Sequence, residues 1–199
     1  MSFNIGKTSF FISPLFALLI SIILLVDTTG IMLFGFTSAF FHELGHIICM
    51  AYRGKTIDKI ALSPCGILID TSGISTYKSD LLVALCGPLT NLLLFVISAF
   101  VLSIYKTHSL LYFCASNFGL FLFNILPVFG LDGMDVIKAM LLKNHSYTKT
   151  QKICKIISLC FLAFCLVLGA VCVYLDKINP TFLICLIYLL IISLLNAKK

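Results

Sequence analysis

The sequence has no tryptophan, few charged residues and no Cys-x-x-Cys pair. Only 11% of the residues are charged, whereas a typical soluble domain has about a quarter, so an ordinary soluble domain is excluded. Without tryptophan, anchoring at the membrane–water interface falls to tyrosine and lysine. The nine cysteines lie mostly in apolar segments, where cysteine behaves as a small hydrophobic residue. The sequence therefore predicts no disulfide framework.

The chain instead contains long apolar segments. Hydrophobic residues make up 60% of the chain, the mean hydropathy is +1.12, and several segments approach the ~20 residues that cross a bilayer. The prediction is an all-α polytopic membrane protein with about six transmembrane helices and a small re-entrant β element. The expected spans are residues 10–26, 31–52, 80–104, 109–142, 153–175 and 180–197.

The fourth expected span is too long for one straight crossing. Pro127, Gly130 and Gly133 interrupt it, which predicts a helix that is broken within the membrane. Such a break is tolerated where protein or a wet cavity satisfies the freed backbone groups. The more polar interval 53–79 is expected to leave the membrane core, with two short strands around the turn Pro64-Cys65-Gly66.

The basic residues are distributed unevenly among the connections. Cytoplasmic loops of membrane proteins carry an excess of lysine and arginine. A cytoplasmic N-terminus leaves only Lys106 and Lys177 outside, so both termini are predicted to face the cytoplasm. The net charge of +6 is accounted for by this pattern, and no nucleic-acid partner is expected.

The stretch Phe40-Phe-His-Glu-Leu-Gly-His46 places three polar residues inside an apolar segment. His42 and His46 are one helical turn apart on one face, and Glu43 lies beside them. This is the H-E-x-x-H arrangement, in which two imidazoles bind zinc and a carboxylate activates water. The alternative is a helix whose polar side chains hydrogen-bond a neighbouring helix. Within a membrane, metal coordination compensates better than such hydrogen bonds for the free-energy cost of burying all three side chains.

Catalytic zinc usually has a third protein ligand. His108 and His145 are expected in loops at the wrong depth. Asp132 is expected at membrane depth and lies in the broken helix, so its carboxylate is the candidate third ligand.

Three motifs now give the chain a family resemblance: His42-Glu-Leu-Gly-His46, Ala84-Leu-Cys-Gly-Pro-Leu-Thr-Asn91 and the stretch from Asn124 to Gly133. In this order they resemble the site-2 protease family of intramembrane zinc metalloproteases, in particular its six-span bacterial sporulation-processing branch. The resemblance implies one zinc ion held by His42, His46 and Asp132, with Glu43 as the general base.

The resemblance also implies roles for residues around the centre. Asn124 would hydrogen-bond the substrate carbonyl or the developing oxyanion. Ile60 to Gly66 resembles the family's I-x-L-x-P-x-G element, whose strand edge would bind an extended substrate segment, so Gly66 is a candidate substrate-binding residue. The alternative is an ordinary cytoplasmic hairpin. Asn91 is expected to support the site indirectly, by bonding the backbone of the broken helix. Phe129 and Met134 depart from the family pattern, where a second proline and a second glycine are common.

The expected function is an endopeptidase that hydrolyses peptide bonds within or next to transmembrane segments of membrane proteins. It would occupy a single domain, residues 1–199, with a catalytic core at about 31–143 and no appended soluble domain. The expected location is the bacterial cell membrane, with the active site in its cytoplasmic half. The alternatives are a catalytically idle membrane scaffold of the same fold and a transporter, although the internal repeats common in transporters are not visible. The oligomeric state does not follow from the sequence.

Overall fold

A computed structural model describes residues 2–5, 8–63, 66–73, 76–175, 179 and 181–196. Within these residues the protein is mostly helical, with one small sheet. The strands are β1 (Ser2–Ile5), β2 (Thr8–Ile12), β3 (Thr56–Ser63) and β4 (Gly66–Ser72). The helices are α1 (Pro14–Val26), α2 (Ile31–Tyr52), α3 (Tyr77–Ile104), α4 (His108–Asn124), α5 (Asp132–Leu142), α6 (Tyr147–Tyr174) and α7 (Thr181–Asn196).

The helices follow the expected spans, and the fourth span is divided into α4 and α5, as predicted. Three helices are long and apolar enough to cross a membrane, namely α2, α3 and α6. The described helices α1, α4 and α7 are shorter, with 13, 17 and 16 residues, so length and composition do not establish six spans. The chain divides into two compact units, Met1–Leu122 and Phe123–Lys199, which are described in turn.

The start of the first unit differs from the expectation. Residues 10–12 were expected at the start of the first helix but belong to strand β2, and α1 begins only at Pro14. Proline fits the first turn of a helix and disfavours the α conformation in the residue before it. Ser13 accordingly has extended backbone angles.

The sheet has the strand order β1-β2-β3-β4. Strands β3 and β4 form the expected antiparallel hairpin, in which Ile60 is opposite Ile69; Pro64 and Cys65 of its turn lie outside the described residues. Strand β2 also pairs with β3 in parallel, and β1 pairs with β2, which the sequence did not predict. Strand β4 therefore forms one edge of the sheet.

Helix α2 ends where the chain enters the hairpin. Gly54 adopts a left-handed conformation with φ 71°, and it donates a hydrogen bond to the carbonyl of Ala51 while Lys55 donates to that of Met50. This is the glycine-terminated Schellman pattern. Lys55 also forms a 2.7 Å ion pair with Asp80 in the first turn of α3, so one residue connects the end of α2 to the start of α3.

Helices α2, α3 and α4 pack together within the first unit. Gly45 of α2 permits close approach to α3, because a Cβ there would lie 2.9 Å from the carbonyl oxygen of Cys86. Small residues at such contacts are typical of membrane helices. On α4, the rings of Phe113 and Phe118 pack against Phe34 of α2 and Phe95 of α3, respectively. These contacts determine which side chains meet at the centre of the three helices.

In the second unit, the segment between α4 and α5 is held by α6 and α7. Val128 and Leu131 pack with Leu162 and Leu186. On the same segment, the amide N–H of Phe129 donates a 3.1 Å hydrogen bond to the hydroxyl of Ser158. Ser158 in turn hydrogen-bonds Ser193 of α7 over 2.8 Å. The broken helix thus has a defined conformation, with one freed backbone donor satisfied by a side chain.

Gly133, in the first turn of α5, allows the chain to fold back closely. A Cβ at this position would overlap the backbone of Ile125 and Leu126, and backbone atoms cannot rotate away as side chains can. Gly133→Ala is expected to destabilise the protein by about 3 kcal/mol, the upper end of typical overpacking costs. Thermal unfolding in detergent measures the change.

Gly119→Ala is the matched control, because a Cβ there meets nothing within 4 Å. Alanine also favours a helix over glycine, so this variant should be at least as stable as the wild type. Equal stability of the two variants would contradict the importance of the close contact at Gly133.

Candidate metal centre

The histidines of the H-E-x-x-H motif lie on one face of α2 and form a close pair. Both side chains are buried, with 6% of His42 and 7% of His46 exposed. Their Nε2 atoms are 3.2 Å apart. The i, i+4 spacing on a regular helix brings the two rings together, and the rings meet nearly edge to face with centroids 4.8 Å apart.

The other nitrogen of each ring is occupied by a partner on α3. Nδ1 of His46 is 2.8 Å from the backbone carbonyl oxygen of Val83, which can only accept, so Nδ1 donates. Nδ1 of His42 is 2.6 Å from Oδ1 of Asn91, and it donates likewise. A neutral imidazole that donates from Nδ1 has a lone pair at Nε2. Partners of this kind are the ones that orient histidine ligands in metal sites.

This arrangement fits a zinc ion. Two lone pairs that face each other at 3.2 Å repel unless a cation lies between them. Nitrogens bound to one tetrahedral zinc at about 2.0–2.1 Å are about 3.3–3.4 Å apart, close to the separation of the two Nε2 atoms. The histidine pair therefore already has the spacing that the metal requires.

Gly87 of α3 makes room for the histidine rings. A Cβ at Gly87 would overlap Nε2 of His46 and would lie 2.8 Å from Cε1 of His42. The glycine of the A-x-x-G-P-x-x-N motif is therefore next to both predicted ligands. Its absent side chain leaves the space that the two rings occupy.

The remaining predicted residues occupy defined positions in the fold. Glu43, the chain's only glutamate, follows His42 on α2 and is half-buried. Asp132 is the half-buried first residue of α5, and Asn124 is the last residue of α4. Gly66 is the first residue of β4. Each of the predicted ligands His42, His46 and Asp132 has a side chain of a type that binds zinc.

Two expectations about neighbouring residues need correction. His108 is not in a loop but begins α4, where it is exposed. Asn91 does not bond the backbone of the broken helix; its amide bonds His42, the carbonyl of Ser38 and the side chain of Asn117. An amide has both donors and an acceptor, so it can serve several helices at once. Asn117 belongs to no motif, and its one signal in the sequence is a polar residue in an apolar helix.

The apolar helices indicate an integral membrane protein, and the buried histidine pair has the geometry expected of an H-E-x-x-H metal centre. No protein-family model matches the chain. Over 123 residues, 59% of this chain and 36% of the relative, it is 32% identical to a zinc metalloprotease of Methanocaldococcus jannaschii. It is 29% identical to stage IV sporulation protein FB of Bacillus subtilis over 133 residues, 64% of this chain and 45% of that protein.

The fold has a counterpart among solved structures. The site-2 protease from Methanocaldococcus jannaschii matches with a TM-score of 0.69 and 25% identity, over 95% of this chain and 92% of that one. These matches confirm the predicted resemblance to the site-2 protease family. One of these relatives is named a zinc metalloprotease, and the solved structure is named a site-2 protease. In the two curated sequence matches the chain covers less than half of the relative's length.

Proposed function

We propose that this protein is an intramembrane zinc endopeptidase, which hydrolyses peptide bonds within or next to transmembrane segments of membrane proteins. The observation that carries the proposal is the histidine pair on the apolar helix α2, with Nε2 atoms 3.2 Å apart and both Nδ1 atoms held by α3. A buried pair with this spacing has little use without a cation. Residues 1–199 act as a single protease domain, with the catalytic core at 31–143.

In this proposal His42, His46 and Asp132 hold one zinc ion. Asp132 contributes a carboxylate, which is a suitable third ligand for a catalytic zinc. When bound, zinc supplies Lewis acidity toward water and toward the carbonyl of the scissile peptide. The role of the protein is to keep the ligands in place with side chains such as Asn91, which bonds Nδ1 of His42.

Glu43 acts as the general base. It follows His42 directly on α2, at the position of the H-E-x-x-H motif whose carboxylate activates water. Glu43 takes a proton from the attacking water as the oxygen bonds to the peptide carbon. It then returns the proton to the amide nitrogen as the carbon–nitrogen bond breaks, so the carboxylate is regenerated.

Two further residues would bind the substrate. Asn124 donates a hydrogen bond from its amide to the substrate carbonyl, whose oxygen gains negative charge during attack. A transmembrane helix must unwind before its peptide bonds are accessible, and the edge strand β4, which begins at Gly66, gives the unwound segment a strand to pair with.

The protein is proposed to lie in the bacterial cell membrane with both termini in the cytoplasm. The distribution of lysine and arginine supports this orientation. It places the H-E-x-x-H motif in the cytoplasmic half of α2. Its partners are then the lipid bilayer and a membrane-embedded protein or peptide substrate.

Metal analysis tests the ligand set. The purified wild type should hold about one zinc per chain, and His46→Ala should lose nearly all of it, because removal of one of three ligands leaves an incomplete site. His145→Ala is the control, because this half-buried histidine lies between α5 and α6 and has no proposed role in the site. A wild type without zinc, or equal zinc in the two variants, would refute the proposed centre.

A further inference from the structure

A continuous set of buried hydrogen bonds connects His42 to the backbone of α4. Nδ1 of His42 contacts Oδ1 of Asn91, and Nδ2 of Asn91 donates to Oδ1 of Asn117 over 3.0 Å. Nδ2 of Asn117 then donates to the carbonyl oxygen of Phe113 over 2.9 Å. Asn91 and Asn117 are fully buried, each with 0% exposure. The set runs across three helices, and its three side chains are all buried.

The direction of every bond in this set is determined by two backbone carbonyls. The carbonyl of Phe113 can only accept, so the amide nitrogen of Asn117 points toward it and its oxygen points toward Asn91. That oxygen and the carbonyl of Ser38, 3.2 Å away, both require a donor from Asn91. The amide nitrogen of Asn91 serves both acceptors, and its oxygen is therefore directed at His42.

These bonds determine which ring nitrogen of His42 can bind a metal. Because Oδ1 of Asn91 accepts, Nδ1 of His42 carries the proton and Nε2 has the lone pair that a metal needs. His46 obtains the same tautomer directly from the backbone carbonyl of Val83. His42 instead depends on two side-chain amides, either of which could rotate by 180° if its partner were lost.

We propose that Asn117 is a positioning residue for metal binding, which acts through Asn91 to hold His42 in the ligand tautomer and ring orientation. This inference rests on the proposed zinc centre. Without the oxygen of Asn117, the amide of Asn91 keeps only the carbonyl of Ser38 to fix its orientation. The amide then exchanges orientations, and part of the population presents its NH₂ group to His42, which disfavours the ligand tautomer.

The test measures zinc affinity of the purified protein in detergent, by competition with a chelating indicator. Asn117→Leu removes the acceptor and is expected to weaken zinc binding about 10-fold, within the range typical of residues that orient metal ligands. Asn117→Ser withdraws the acceptor from Asn91, because the serine oxygen lies one bond closer to the α4 backbone, while its hydroxyl can bond the carbonyl of Phe113. This variant should fold readily, and we expect the same loss. Asn117→Asp retains an oxygen for Asn91 and should recover most of the affinity.

A control and a double variant separate positioning from general stability. Ser98→Ala removes a buried hydroxyl that bonds its own helix, at the carbonyl of Phe95, and should leave zinc affinity unchanged. If Asn117 acts through Asn91, the double variant Asn91→Ala with Asn117→Leu should bind zinc as tightly as Asn91→Ala alone. The free-energy effects of two residues in one hydrogen-bond network are not additive. If the two residues contributed independently, the fold-losses of zinc affinity of the single variants would multiply in the double variant.

The outcomes distinguish this inference from the proposed function. If the wild type binds no zinc, the proposed centre itself fails. If the wild type binds zinc and Asn117→Ser binds it equally tightly, the centre stands and the role of Asn117 is refuted. Multiplicative losses in the double variant would also refute action through Asn91.

Discussion

Glu43→Gln is expected to lower the rate of substrate cleavage by about 10²–10⁴-fold, the usual contribution of a general base, while the protein still binds about one zinc per chain. Glutamine has nearly the same shape as glutamate but cannot take a proton from water at neutral pH. The zinc ligands are unchanged, so the metal content should not fall. The measurement is cleavage of single-span membrane proteins co-expressed as a library with the wild type or the variant.

Asp27→Asn provides the matched control, since it also replaces one carboxylate by an amide. Asp27 lies in the connection between α1 and α2, where it accepts hydrogen bonds from Thr29 and Met32, and it has no proposed role in catalysis. Cleavage by Asp27→Asn should therefore equal that of the wild type. If Glu43→Gln cleaves as fast as the wild type, the base is another group. If the wild type binds zinc but cleaves no library member, the idle scaffold becomes the better interpretation.

Gly87→Ala should weaken zinc binding by about 100-fold or more, with a parallel loss of cleavage. The added methyl group would occupy the space of the His46 and His42 rings. The rings can relieve the overlap by turning away, but they then lose the convergence of their Nε2 atoms. Displacement of about 1 Å in a catalytic group already costs about 10²-fold. Zinc competition and the cleavage assay measure both effects.

The fold of Gly87→Ala should remain intact, because the obstructing atoms are flexible side-chain ends and alanine favours the helix. Thermal unfolding of the metal-free protein tests this point. Gly35→Ala on α2 is the control, since a Cβ there meets nothing within 4 Å, and it should bind zinc as the wild type does. Unchanged zinc affinity in Gly87→Ala would show that the rings do not need this space.

Much of the fold was predictable because it depends on local patterns. Apolar length predicts the helices, and Pro127 with Gly130 predicts the break between α4 and α5. Strand β2 was missed because Phe10, Phe11 and Ile12 are as apolar as the helix that follows. The signal against a helix was Pro14, which favours a helix start at its own position.

The candidate metal centre was predictable only in part. The spacing of His42 and His46 reveals a ligand pair because four residues make about one helical turn. The contacts of Gly87 and Asn117 are not accessible in this way, because they depend on how α3 and α4 pack against α2. A lone asparagine in an apolar helix indicates that it has a buried partner, but the sequence does not identify the partner.

Phe129 and Met134, the two residues that depart from the family pattern, are not independent of each other. Both are buried in one cluster with Cys154 of α6, so a change at one alters the packing around the other. Restoring a proline at 129 or a glycine at 134 alone would leave a cavity, and large-to-small changes of this kind commonly cost 2–5 kcal/mol. The segment around Asp132 and the side of α6 that it contacts therefore depend on each other for their packing. A chimera with another family member should transfer both together.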